Sequence, residues 1–338
     1  MNNSPKKILV TGVAGFLGSH LADRLHDLNY DVIGVDNMAS GYEDNIPKTI
    51  NFFNFDCCNF DKMNKIMEDV DVVYHCAAAA HEGLSVFSPQ EITKNNLQAS
   101  VAVFSAAISN KVKRIIFCSS MARYGSQKTP FTEDMEPAPV DPYGISKVAA
   151  EKILMSLCNL NNIEWVIAVP HNIIGPRQKY DDPFRNVVSI MLNRILQNKS
   201  PVIYGDGNQK RCFSYVDDCL SCLIPMIDDP KLNKQIINIG PDEEFVTINE
   251  VFEICSNLTQ SNLDPIYKKD RPLEVKHATC SAEKARKLLN YKTKTSLKEG
   301  IQKTFDYIKK RGIRPFDYHI NLEIKNELTP ETWLKKEI

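Results

Sequence analysis

The chain has 338 residues, of which 43% are hydrophobic and 25% are charged, a composition that predicts a globular protein with a sizeable core. Its formal net charge of -1 gives no support to binding of nucleic acid or of an anionic membrane surface. No apolar run approaches the roughly 18 residues that suggest a membrane span, and the N-terminus lacks a signal-peptide pattern, so a cytoplasmic location is expected.

Strand and helix patterns alternate through the first half of the chain. Short apolar runs predict strands at residues 7–10, 31–35, 51–55, 70–75, 114–119 and 165–169. Helical patterns separate several of them, at residues 19–28, 60–68, 95–109 and 142–158. This alternation predicts an α/β fold in which helices cover both faces of a parallel sheet.

The pattern changes after Pro170, where loops rich in Asn, Gly, Pro and Asp interrupt the helices. One more strand is predicted at residues 235–239, and the chain there is expected to cross back to the sheet. We therefore expect a first domain over residues 1–170, joined by this late strand, and a smaller substrate-binding domain over residues 171–312. Residues 313–338 form a C-terminal tail.

Ten cysteines are present, most of them in apolar runs. The one Cys-x-x-Cys pair, Cys219 and Cys222, has neither a second pair nor a nearby histidine, which a metal site of this type needs. No metal is therefore expected, and the cysteines are interpreted as buried free thiols in a reducing cytoplasm.

A glycine-rich turn lies between the first predicted strand and the first predicted helix. Gly12, Gly15 and Gly18 permit a tight turn and bring a diphosphate close to the helix N-terminus. Asp36 ends the next strand, where a carboxylate hydrogen-bonds a ribose diol and repels a 2′-phosphate. No arginine follows Asp36 closely, so the pattern favours NAD over NADP and predicts a Rossmann-like, doubly wound sheet.

A second motif places Tyr143 and Lys147 four residues apart, on one face of a predicted helix. The lysine charge favours the phenolate, whose pKa is otherwise about 10, and a phenolate with a lowered pKa can transfer protons near neutrality. The pair indicates catalysis because the same chain carries a dinucleotide motif.

Taken together and in this order, the motifs resemble those of extended short-chain dehydrogenases/reductases, and within them the NAD-dependent nucleotide-sugar epimerases, in particular UDP-hexose 4-epimerases. The motifs are residues 11–18, Asp36 with Asn37, Asp56, residues 119–125 and residues 143–147. The resemblance covers about residues 6 to 310. It implies that Ser120 orients a sugar hydroxyl, that Tyr143 is the acid and base, and that Lys147 binds a ribose and lowers the pKa of Tyr143.

The resemblance also implies NAD as the cofactor. Its expected contacts are Gly12, Gly15, Phe16, Leu17, Gly18, Asp36, Asn37, Asp56, Cys57, Ala77, Asn96, Tyr143 and Lys147. For Asp56, a candidate contact of the adenine edge, the alternative is that its carboxylate caps a turn. For Asn96 the alternative is a helix cap or a bond to the backbone.

Arginines suit the diphosphate of a UDP-sugar, because they combine a fixed charge with paired donors. Arg211 and Arg271 match the two arginines that bind the diphosphate in the resembled family, and Asn172 resembles a substrate-binding asparagine. Arg177 is a third candidate, with a surface ion pair as the alternative. Ala278 matches a position where a bulky tyrosine restricts the pocket to plain hexoses, although a shift of one residue would place His277 or Thr279 there.

The small residue at position 278 favours UDP-N-acetylglucosamine and UDP-N-acetylgalactosamine, with UDP-glucose and UDP-galactose as further substrates. We therefore expect an NAD-dependent 4-epimerase of polysaccharide biosynthesis that acts through a 4-keto sugar. Ala80 and Pro170 depart from the family pattern, which leaves the sugar open. His81 and Glu82 are either polar pocket residues or partners in a loop salt bridge.

Four other functions are alternatives to this expectation. Met121 and Ala122 stand where 4,6-dehydratases carry Asp-Glu, which argues against dehydration. UDP-glucuronate decarboxylase and UDP-glucuronate 4-epimerase are closer alternatives. The decarboxylases typically carry a glutamate near the position of Ser120, and this chain has none there. An NAD-binding regulator without catalysis is the remote alternative.

The resemblance further implies a homodimer formed by the helices at 95–109 and 142–158. The alternative is that the apolar residues of these helices only face the sheet.

Overall fold

The computed structural model describes residues 5–338, and a parallel sheet of seven strands lies at their centre. The strands in chain order are β1 Lys7–Thr11, β2 Asp31–Asp36, β3 Asn51–Asn54, β4 Val72–His75, β5 Arg114–Cys118, β6 Glu164–Pro170, β7 Ile173–Ile174, β8 Val202–Tyr204, β9 Lys210–Arg211, β10 Ser214–Tyr215, β11 Gln235–Ile239, β12 Val246–Thr247, β13 Ile266–Lys268 and β14 His277–Ala278. In the sheet the order is β11-β6-β5-β4-β1-β2-β3. The order reverses beside β1, which is where open α/β sheets bind ligands.

Helices cover both faces of this sheet. In chain order the α-helices are α1 Phe16–Asp27, α2 Phe60–Ile66, α3 Glu82–Ser85, α4 Pro89–Thr93, α5 Ala99–Ser109, α6 Pro142–Asn161, α7 Val187–Leu196, α8 Val216–Leu223, α9 Ile248–Thr259, α10 Glu283–Leu289, α11 Leu297–Arg311 and α12 Glu331–Leu334. Of these, α1, α8 and α10 cover one face and α2, α5 and α6 cover the other, whereas α7, α9 and α11 pack together in the second half of the chain. The Rossmann-like α/β fold predicted from the sequence is confirmed. The helix expected at 95–109 differs, because Lys94–Gln98 is a π-helix that continues into α5.

The side chains of β1 alternate between the two hydrophobic cores that lie on either side of the sheet. Ile8 and Val10 pack against α1, α8 and α10, whereas Leu9 points to the opposite face and joins the core beneath α2, α5 and α6. Strands buried on both faces need near-continuous apolar runs, which is the pattern in the sequence. Because α8, α10 and β11 belong to these layers, the chain after residue 170 also contributes to the sheet domain.

The tail after residue 312 packs against the rest of the chain. Trp333 is only 3% exposed, and its ring centroid lies 5.1 Å from that of Phe184 and 5.9 Å from that of Phe87. Tyr204 completes this cluster, with its ring 6.2 Å from Trp333. None of the helices between residues 5 and 338 is both long and apolar enough to cross a membrane.

We expect Trp333→Ala to lower the free energy of unfolding by about 3 kcal/mol, because it leaves a cavity among buried aromatic rings. Leu334→Ala is the matched control, since Leu334 is 45% exposed and its loss should cost less than about 0.5 kcal/mol. Urea denaturation followed by circular dichroism measures both. Equal effects of the two substitutions would show that the tail is not anchored at Trp333.

Candidate active site

A cavity of about 750 Å³ lies at the carboxyl ends of the central strands and extends towards the second half of the chain. Its lining brings together most of the residues predicted from the sequence: Gly12, Gly15, Phe16, Leu17, Gly18, Asp36, Asn37, Asp56, Cys57, Ala77, Ser120, Tyr143, Lys147, Asn172, Arg211 and Arg271. The candidate cofactor, acid–base and diphosphate groups therefore share one space.

The glycine turn forms one end of the cavity, and its geometry requires glycine. Gly12 has a φ of +75°, and a Cβ atom there would lie 2.8 Å from the Cα atom of Ala77. A Cβ atom on Gly18 would lie 2.3 Å from the carbonyl oxygen of Gly12. Because Gly15 precedes α1 and the first residues of α1 line the cavity, the helix N-terminus can receive a diphosphate there.

Asp36 lies beside this turn and fits a ribose. Its carboxylate accepts hydrogen bonds from the backbone N–H groups of Ala14 at 3.0 Å and Met38 at 2.8 Å. Burial raises the pKa of Asp36, but each oxygen keeps a lone pair for a sugar hydroxyl. No arginine occurs between Asp36 and Arg114 in the sequence. These residues therefore suit NAD rather than NADP.

A buried network beneath the turn was missed by the sequence analysis. Thr11 Oγ1 lies 2.7 Å from His75 Nδ1, and His75 Nε2 lies 2.8 Å from Ser100 Oγ. The N–H of Ala77 donates to Thr11 Oγ1 at 3.1 Å. Burial lowers the pKa of His75 to about 3, so the ring is neutral. The network ties β1, β4 and α5 together and fixes the close approach of Gly12 to Ala77.

Asp141 sets the start of α6 and thereby the position of Tyr143. Its Oδ1 atom accepts a hydrogen bond from the N–H of Gly144 at 3.0 Å, and Pro142 occupies the first helical position. A Cβ atom on Gly144 would lie 2.8 Å from the carbonyl oxygen of Ala122, so α6 closely contacts the short helix that follows Ser120. An Asp-Pro pair before a helix is a start signal that the sequence contained.

The phenol of Tyr143 is buried, and burial raises its pKa above the ordinary value. A hydrogen bond with Ser120 opposes the rise, whereas the charge of Glu82 adds to it. Lys147 is not among the largest influences on this pKa. Its Nζ atom donates to the carbonyl oxygen of Cys118 at 2.9 Å and lies 6.0 Å from the centre of the Tyr143 ring. Burial lowers the pKa of Lys147 to about 8.

Arg211 and Arg271 line the opposite end of the cavity with fixed orientations. Arg211 donates to the carbonyl oxygens of Val275 and Lys276. Arg271 forms two hydrogen bonds with Glu274, at 3.0 and 3.1 Å. Guanidinium groups that are held in this way suit an anion of fixed position. Arg177 instead pairs with Asp23 at 2.6 Å and does not line the cavity, as the ion-pair alternative predicted.

Two predicted contacts lie outside the lining. Asn96 donates to the carbonyl oxygens of Ala79 at 3.0 Å and Ile92 at 2.8 Å, so its amide supports the cavity wall, and the neighbouring Asn95 lines the cavity instead. Ala278 is 5% exposed and packs in the core beneath the sheet. Ala278 therefore does not border the cavity, and its small size does not enlarge the space for a sugar.

Polar residues of the second half and the tail also border the cavity without a clear signal in the sequence. Asp182 pairs with His81 at 2.8 Å and with Arg185 at 3.3 Å, and His319 of the tail lies 3.7 Å away. Because Arg185 contacts the same carboxylate oxygen as His81, we interpret this group as an ion cluster that holds the tail rather than as a metal site. His81 thus contacts Asp182 and also lines the cavity, as Glu82 does.

The chain is similar to known proteins in sequence and in structure. The model of the NAD dependent epimerase/dehydratase family matches residues 8–240. A putative UDP-glucose 4-epimerase from Methanocaldococcus jannaschii is 36% identical over 307 residues, which cover 89% of this chain and 98% of that protein.

Solved structures show the same likeness. One is a UDP-N-acetylglucosamine 4-epimerase from Methanobrevibacter ruminantium M1 in complex with UDP-N-acetylmuramic acid. It superposes with a TM-score of 0.84 at 32% sequence identity, and the match covers 91% of this chain and 100% of that enzyme's chain. A UDP-glucuronic acid 4-epimerase from Bacillus cereus, in complex with UDP-glucuronic acid and NAD, has a TM-score of 0.84 at 30% identity, with coverages of 90% and 100%.

Proposed function

We propose that this chain, which belongs to the NAD dependent epimerase/dehydratase family, interconverts the C4 epimers of a UDP-sugar. One observation carries the proposal: the glycine turn with Asp36, the candidate acid–base Tyr143 with Ser120, and the two arginines Arg211 and Arg271 line one cavity. A site for that reaction needs a dinucleotide, a proton acceptor and an anchor for the diphosphate within the length of one substrate.

The protein's own groups divide the reaction between them. Tyr143 takes the proton of the C4 hydroxyl and later returns it, while Ser120 orients that hydroxyl. Lys147 binds a ribose hydroxyl of the cofactor and keeps its positive charge near the phenol. Bound NAD supplies the acceptor for the C4 hydride and the donor for its return to the other face. Arg211 and Arg271 hold the diphosphate while the 4-keto sugar turns over.

We propose UDP-N-acetylglucosamine and UDP-N-acetylgalactosamine as the first substrates, with UDP-glucose and UDP-galactose next. The similarity to the Methanobrevibacter enzyme supports the first pair, and that to the Methanocaldococcus protein supports the second. The comparable similarity to the Bacillus cereus enzyme makes UDP-glucuronate the second candidate substrate. A cytoplasmic location and a place in polysaccharide biosynthesis stay predictions.

The test is to incubate the purified protein with UDP-N-acetylglucosamine, UDP-glucose and UDP-glucuronate separately and to resolve the products by NMR. We expect inversion at C4 of at least one of the three without added NAD. Formation of a UDP-pentose from UDP-glucuronate would indicate the decarboxylase instead. NAD that stays bound without turnover of any of the three would indicate a regulator, and either outcome would overturn the proposal.

We also propose a homodimer that pairs α5 and α6 of two subunits. Ile145 and Leu160 on α6 are 52% and 79% exposed, which leaves apolar surface on this helix. Light scattering after gel filtration should give about twice the chain mass of 38.3 kDa. A mass equal to that of one chain at micromolar concentration would contradict the dimer.

A further inference from the structure

Glu82 is an acidic residue of the cavity wall that the proposed reaction does not use. It is the first residue of α3, whose next residues are fixed by packing: Leu84 is fully buried, and Ser85 donates to Asp141 at 3.2 Å. A Cβ atom on Gly83 would lie 3.1 Å from Nη1 of Arg271, so the start of α3 is in contact with that guanidinium. These contacts fix the backbone of α3 at the cavity wall, and the side chain of Glu82 is open to the cavity.

Glu82 shares the cavity with the groups that bind the two ends of a substrate: Arg211, Arg271 and Tyr143 line it as well. Withdrawal from bulk solvent raises the pKa of Glu82 to about 7, so the side chain carries its negative charge above that pH. In the proposed reaction the diphosphate lies at the arginines and C4 of the sugar lies at Tyr143. Because Glu82 lines the same cavity as these groups, we place the sugar ring that joins the two points beside it.

The neighbouring cations already have other partners. Arg271 is paired with Glu274 at 3.0 Å, and Arg211 donates to backbone carbonyl oxygens. Within residues 5–338, no ion pair at 4.0 Å or less involves the Glu82 carboxylate. Arg185, which also lines the cavity and could neutralise a second carboxylate, is paired with Asp182. The cations near Glu82 are thus engaged by Glu274, by Asp182 and, in the proposed reaction, by the diphosphate.

We propose that Glu82 selects neutral sugars, both hexoses and 2-acetamido hexoses, and excludes uronates. Its carboxylate accepts hydrogen bonds from sugar hydroxyl or amide N–H groups and repels the carboxylate of a uronate. The inference rests on the proposed function and decides among its candidate substrates, in favour of the neutral sugars and against UDP-glucuronate. Glu82 is in this view a specificity-determining residue, and proton transfer remains with Tyr143.

The test compares ligand binding to the Tyr143→Phe protein with and without Glu82→Gln. Glutamine keeps the size and the hydrogen-bonding ability of the side chain but removes its charge. Calorimetric titration at about pH 8.5, where native Glu82 is charged, should show that Glu82→Gln makes UDP-glucuronate bind at least about tenfold more tightly relative to UDP-N-acetylglucosamine, a gain of about 1.4 kcal/mol. UDP alone should bind equally to both proteins, because it lacks the sugar.

Glu91→Gln is the matched control, since Glu91 also lines the cavity and accepts a hydrogen bond from Asn95 at 2.7 Å, away from the arginines. It should leave the ratio of the two affinities unchanged. An unchanged ratio in the Glu82→Gln protein, or an equal loss of UDP and UDP-sugar binding, would overturn the inference. Because binding is measured without turnover, failure of C4 inversion in the native protein would overturn the proposed function separately.

Discussion

Tyr143→Phe is expected to lower kcat for C4 inversion by about 1,000-fold, while NAD remains bound. The substitution removes the hydroxyl that transfers the proton, and general acid–base catalysis of this kind contributes about 100- to 10,000-fold. The ring packs against Ile92 and Ala122, and phenylalanine keeps that packing. The measurement is kcat for the UDP-sugar that the native protein inverts, together with the NAD content of each purified protein.

Tyr124→Phe is the matched control for this prediction. Tyr124 is fully buried and donates its hydroxyl to Asn238 at 2.8 Å, but it does not line the cavity. Its loss should cost about 1 kcal/mol of stability and change kcat only a few-fold. If the Tyr143→Phe protein inverted C4 at the native rate, another group would be the proton acceptor and the proposed roles would be wrong.

Gly18→Ala is expected to abolish retention of NAD. The new Cβ atom would lie 2.3 Å from the oxygen and 2.8 Å from the carbonyl carbon of Gly12, both of them backbone atoms. Gly12 cannot retreat, because its own left-handed conformation packs it against the backbone of Ala77. The turn must therefore open and α1 must shift, which removes the N–H groups that we propose bind the diphosphate.

The NAD content is measured by absorbance after acid release, and folding by circular dichroism. Gly300→Ala, in α11, is the control, because its Cβ atom would meet only the side chains of Ile174 and Tyr215, at 3.1 and 3.4 Å. This variant should retain NAD like the native protein. A Gly18→Ala protein with a full complement of NAD would show that the glycine turn is not the cofactor site.

Local patterns predicted the sheet well, because each strand carries its own apolar signal. The strand at Gln235–Ile239 was expected at these residues, and β1 and β2 were each one residue longer than predicted. Strands of parallel sheets are apolar on both faces, so a continuous apolar run predicts such a strand even when its neighbouring strands are unknown. Glycine and charged motifs likewise located the two ends of the cavity.

The predicted residues that lie outside the cavity lining depend on contacts between distant segments. Asn96 and Asn95 are adjacent in sequence, and only the π-helix decides which of them faces the cavity. Ala278 is placed by the pairing of β14 with β9, which no local pattern encodes. The orientation of Lys147 is likewise set by a distant segment, since its Nζ atom donates to the carbonyl oxygen of Cys118 at 2.9 Å.

The most direct test of the central claim uses a UDP-sugar deuterated at C4. If Tyr143 moves only the hydroxyl proton and the C4 hydride returns within the same cavity, the epimer will form with deuterium retained at C4. NMR of the product mixture in ordinary water measures this retention. Epimer that has lost the deuterium to solvent, or the absence of any epimer from the three UDP-sugars, would contradict the account.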